Sequence, residues 1–127
     1  MVHRSPGQLR EAMIYIIGKY SQLPRLYAVA KFNATEAMLH GFGIPNEEII
    51  NPVKLVPEGT AWSTAMVDYC LPAVRKADAV FVQRDAVDSR GAMIEIAEAI
   101  KYNRVIFHED SYNLKALLAT VLPPELD

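Results

Sequence analysis

Apolar runs and polar breaks alternate along the chain in a regular order. Residues 12–17, Ala-Met-Ile-Tyr-Ile-Ile, form an unbroken apolar run ended by Gly18 and predict a central strand buried on both faces. The turn 18–22 leads to a helix with Ser21 as its N-cap and Pro24 in its first turn, where the missing N–H costs little. Along it Leu23, Tyr27, Ala30, Ala34, Ala37 and Met38 repeat at helical spacing, and Gly41 and Gly43 supply the stop. Residues 48–52 predict a short strand closed by Asn-Pro, and residues 53–59 a loop. Thr60 or Ser63 caps a helix over 62–76 with Trp62, Met66, Cys70 and Val74 in one stripe. Pro72 lies inside it and removes the hydrogen bond to the Asp68 carbonyl, so a kink or break is expected there. A strand at 78–83, a helix after Ser89, a strand at 104–108 and a last helix capped by Asp110 or Ser111 complete the series. That helix runs through Leu122 and is closed by Pro123 and Pro124.

Such alternation predicts an α/β fold, a single Rossmann/flavodoxin-like domain whose parallel sheet of about four or five strands carries helices on both faces. Residues 1–11, polar and broken by Pro-Gly, read as a flexible arm, and residues 12–127 as the domain. Ligands of such sheets bind beyond the carboxyl ends of the strands, which here are the loops 18–22, 51–59, 84–89 and 109–111.

Composition narrows the function classes. At 127 residues and 51% hydrophobic content, the chain can bury a core without staples. A net charge of −2 argues against a nucleic-acid polymer as partner, since that grip needs clustered Lys and Arg. The single cysteine, Cys70, excludes an intramolecular disulfide. With His3, His40 and His108 it shows no metal-site spacing, so no metal or other cofactor is expected. No signal-like segment or membrane-length apolar run is present, and a soluble cytoplasmic protein is expected.

The stretch 85–98 concentrates the candidate chemistry. A strand enters a turn, Ser89 caps the next helix, and Gly91 lets a ligand approach the free N–H groups of the first turn. Glu95 lies further along that helix, beside Gly91, Ala92, Ala99 and Tyr102 on its surface. Met93, Ile96, Ala97 and Ile100 occupy the other face and are expected in the core. A carboxylate among Gly and Ala suggests a surface approached closely by something else.

Four motifs in order, I-Y-I-I-G at 14–18, I-N-P at 50–52, A-D-A-V at 77–80 and S-R-G-A-x-x-E at 89–95, resemble the nucleoside 2-deoxyribosyltransferase superfamily over about residues 13–107. The likeness is greatest to its small bacterial and phage branch. The resemblance implies that Glu95 is a nucleophile that attacks C1′ of a sugar, displaces the base and forms a glycosyl ester. It also implies that Ser89, where the nucleoside transferases have aspartate and the nucleotide N-glycosidases serine, contacts a 5′-phosphate. A hydroxyl and free N–H groups suit a dianion, whereas a carboxylate would repel it.

The implied activity is hydrolysis of (deoxy)nucleoside 5′-monophosphates. Its alternatives are a non-catalytic nucleotide sensor or sink and a base-exchanging deoxyribosyltransferase. The substrate-binding set is Gly18, Lys19, Tyr20, Asp88, Ser89, Arg90 and Gly91, with Lys19 neutralising phosphate and Tyr20 stacking on a base. Where the superfamily has a sugar-orienting aspartate, this chain has Cys70, which reads as a small buried hydrophobe. Asp68 is the candidate replacement, provided Pro72 distorts the helix, and Asp85 and Asp88 are alternative acids. A homodimer or higher oligomer is implied by resemblance, with the small face Gly91, Ala92 and Ala99 as a candidate contact.

Overall fold

A computed structural model describes residues 12–111 and 113–119. The expected arm and the end of the last helix lie outside the described residues. Four parallel strands, β1 (Ile14–Ile17), β2 (Ile49–Ile50), β3 (Ala79–Val82) and β4 (Val105–His108), form one sheet in the order β2-β1-β3-β4. Ile14 pairs with Ala79 and Ile17 with Val82, and Ala79 pairs in turn with Val105. β1 and β3 are buried at every position, as their continuous apolar sequences require. The fold is thus a single-domain α/β fold of Rossmann/flavodoxin-like type.

Alternation along the strands makes two cores. Ile14, Ile16 and Phe81 meet Phe32 and Leu39 of α1 (Arg25–Gly41) and Leu114 and Leu118 of the last helix, α5 (Leu114–Leu118). Tyr15, Ile17, Val80 and Val82 meet the other two long helices. These are α3, residues 62–76, and α4 (Arg90–Lys101). Burying each large apolar side chain contributes about 1.5–3 kcal/mol, so each helix is fixed to its face of the sheet. A short helix, α2 (Pro52–Leu55), follows β2 where a loop was expected. Asn51 caps it, accepting from the Val53 N–H at 3.1 Å while donating to Asn33 and Glu36 of α1.

Pro72 neither breaks α3 nor leaves it regular. Residues Ala65–Cys70 form a π-helical stretch, in which the Leu71 N–H reaches back five residues to the Met66 carbonyl. Widening the turn makes room for the proline ring and absorbs the bond it cannot donate.

Two helix faces differ from the expected ones. On α1 the buried positions are Ala28, Phe32, Thr35, Glu36 and Leu39, and Tyr27, Ala30, Ala34 and Ala37 face outward. Its N-cap position is Pro24, without a side-chain cap, and Ser21 lies in the preceding turn. On α4 the buried residues are Ala92, Glu95 and Ala99, whereas Met93 and Ile100 are exposed. Small side chains let α4 lie close against β1 and β3, so alanine rather than isoleucine marks its inner face. Ala92 and Ala99 are therefore core residues and cannot form a contact between copies of the chain.

Candidate functional site

β1 and β3 are neighbours, but their chains continue to opposite sides of the sheet, to β2 and to β4. Ligands of open α/β sheets bind in the crevice this reversal leaves. A cavity of about 330 Å³ occupies this end of the molecule. Gly18 and Tyr20 from the loop after β1, Cys70 and Met66 from α3, and Ser89, Gly91, Ala92 and Glu95 from α4 line it. Pro52, Val56, Pro57 and Trp62 supply an apolar wall, and Arg25 and Glu58 stand among the remaining residues.

Glu95 is the buried acid of this cavity, 5% exposed. Its Oε2 accepts a hydrogen bond from the Tyr15 hydroxyl at 2.6 Å, and the Cys70 thiol also hydrogen-bonds the carboxyl. Burial raises its pKa from the usual 4.5 to about 8, and the bonds from Tyr15 and Cys70 only partly offset that. Burial, and then the Glu95 charge, push the Cys70 thiol up to about 12. The same two causes raise Tyr15 well above its ordinary value. Cys70 is thus an inert, protonated neighbour of the carboxyl rather than a nucleophile.

Ser89 sits at the start of α4 in extended backbone, its Oγ accepting from the Ala92 N–H at 3.1 Å. The hydroxyl proton remains free to donate. A second hollow, also about 330 Å³, adjoins the first at Ser21, Trp62, Ser89 and Gly91 and adds Lys19, Gln22 and Arg90. Arg90 stacks over the Trp62 ring at 5.9 Å. A capped helix start flanked by two cations is suited to an anion.

Of the residues expected at the site, Gly18, Tyr20, Ser89, Gly91 and Glu95 line the main cavity, and Lys19 and Arg90 line the adjoining hollow. Asp68 and Asp88 line neither. Both side chains are exposed: the π-helical stretch does not turn Asp68 inward, and Asp88 ends a 3₁₀ turn, Arg84–Asp88, that leaves it facing solvent. Asp85 belongs to another network, where its carboxylate pairs with Lys31 at 2.9 Å and accepts from the Lys19 N–H.

That network braces the loop after β1 and joins residues too far apart along the chain to form a local motif. Lys31 donates to Gln83 Oε1 at 2.6 Å, and Gln83 donates to Thr35 at 2.8 Å. A Cβ on Gly18 would stand 1.8 Å from Gln83 Oε1 and 3.0 Å from Lys31 Nζ. Gly18 is therefore required by the protein's own packing as well as by any ligand. Gly18→Ala is expected to lower stability by about 2–3 kcal/mol, because buried Gln83 must break bonds to move aside. A reduced urea midpoint would register this, and an unchanged midpoint would show that Gln83 yields freely.

Tyr15 was also unmarked, merged into an aliphatic run, although a buried tyrosine hydroxyl needs a partner. Among the described residues, no group of three or more His, Cys, Asp or Glu side chains is placed to hold a metal ion. No helix among them is long and apolar enough to cross a membrane.

Fold and cavity together define a parallel α/β domain with a buried carboxyl at its topological switch point. The chain belongs to the family described as a domain of unknown function, DUF4406, which matches residues 12–108. No curated protein matches it.

Proposed function

We propose that the protein is an N-glycosidase of (deoxy)nucleoside 5′-monophosphates, related to the nucleoside 2-deoxyribosyltransferase superfamily that its motifs resemble. The observation that carries this reading is the continuity of three environments. A buried carboxyl, an apolar aromatic-walled cavity and a cationic helix start meet within one crevice. They match a sugar C1′, a base and a 5′-phosphate in that order.

Ser89, the free N–H groups of Arg90 and Gly91, and the Lys19 and Arg90 side chains hold the phosphate. Trp62, Tyr20 and Pro57 enclose the base. Ionised Glu95 attacks C1′ as the C1′–N bond breaks, and the bond electrons leave with the base. Water then hydrolyses the ester, returning Glu95 and releasing sugar 5-phosphate with net retention at C1′. Tyr15 positions the carboxylate throughout.

Incubation with a panel of ribo- and deoxynucleoside 5′-monophosphates, followed by chromatography, should release free base. A glycosyl adduct on Glu95 should be detectable by mass spectrometry of quenched protein. Base transfer to an added second base, in competition with water, would identify base exchange instead. A second reading, a nucleotide sensor without turnover, is favoured by the protonated resting state that a pKa near 8 gives Glu95 at neutral pH. Tight nucleotide binding in calorimetry with no base released from any substrate would select it.

A further inference from the structure

We infer that Arg25 is a catalytic residue that stabilises the departing base, an inference that rests on the glycosidase reading above. A base that leaves with the C1′–N electron pair carries a developing negative charge, which an acid or a cation must meet. The carboxyls of Asp68, Asp85 and Asp88 do not serve, since all three lie off the cavity wall. Among the described residues, its only carboxyls are Glu95 and Glu58, and its only cation is Arg25.

Arg25 is also placed and held for the task. Its side chain is 38% exposed, against 5% for Glu95, which puts it toward the open end, where a base attached at C1′ would extend. The guanidinium donates to the Tyr20 hydroxyl and pairs with Glu58 at 3.9 Å. Glu58 lies on the strap between α2 and α3 and is 78% exposed, so the pair is loose enough to open toward an incoming base. Tyr20, which accepts from Arg25, keeps its own proton to donate to the same ligand. In the step itself the Glu95 Oε–C1′ bond forms, the C1′–N bond breaks, and the electron pair delocalises into the base beside Arg25. The base anion then takes a proton from water at the open mouth.

Methylation of a purine at N7 makes the bound base a cation, so it departs without net negative charge and gains little from Arg25. The test compares guanosine 5′-monophosphate and its deoxy counterpart with their 7-methyl derivatives. For Arg25→Met, kcat/KM on the unmethylated nucleotides is expected to fall on the order of 100-fold, and the loss on the 7-methyl forms to be at least about ten times smaller. Arg25→Lys should recover part of the loss, and matched melting curves would separate a folding defect from a catalytic one. An equal loss on both substrate types, or no loss on either, would overturn the role of Arg25 while leaving hydrolysis standing. Failure of the wild-type protein to release base from any member of the full nucleoside 5′-monophosphate panel would remove the glycosidase reading and this role with it.

Discussion

Glu95→Gln is expected to reduce base release on the order of 10⁴-fold or more while leaving nucleotide binding within a few fold, because the amide keeps the shape but cannot form the glycosyl ester. The wild-type pH profile should carry the signature of the same group. Attack requires the ionised carboxylate, and burial holds its pKa near 8. Below that value kcat/KM should fall about tenfold per pH unit, and above it the profile should level off. Phosphate ionisation, with a second pKa of about 6, cannot produce a bend so far into the alkaline range. A profile flat from pH 6 to 9 would mean that another group supplies the nucleophile.

Stability should move oppositely to activity. A carboxyl whose pKa is raised by folding favours the native state only while protonated. Its contribution is fully present below the unfolded value near 4.5 and is lost as pH rises to about 8. At 1.36 kcal/mol per unit, the loss amounts to about 3 kcal/mol by pH 7. Glutamine has no proton to lose, and Tyr15 can still donate to its amide oxygen. Glu95→Gln should therefore melt close to wild type at pH 4.5 and about 10 °C above it at neutral pH, with the gap levelling off above pH 8. Melting curves across that range would decide it. A gap that did not widen with pH would show that the carboxyl titrates elsewhere. A gap that widens as expected would mean that the carboxylate is held at a cost to the fold, as strained functional groups commonly are.

The features legible in the sequence were those with local causes. β1 and β3 are unbroken apolar runs because both their faces are covered, and Ser89 reads as a cap because its hydroxyl meets the Ala92 N–H. Glu95 stood out because its neighbours are too small for a solvent face. Helix orientation was not legible where burial is not hydrophobic. α1 buries Thr35 and Glu36, which find partners in Gln83 and Asn51, and α4 buries alanines while exposing Ile100. Periodicity weighs polarity alone, so it chose the outer face in both. Arg25 and Trp62 reach the cavity, and Tyr15 reaches Glu95 behind its wall, from three separate segments brought together by strand order. Asp68 and Asp88 show the converse, since proximity in sequence to the candidate site did not turn either side chain toward it.

The widened turn before Pro72 has a bearing on how this crevice can change over generations. A helix that carries a surplus residue within its length can gain or lose one there while its two ends stay docked. The side of α3 that fronts Glu95 can thus be reset by a single codon without disturbing the sheet. Altered specificity within the family is expected to track length differences at 65–70 as much as substitutions there.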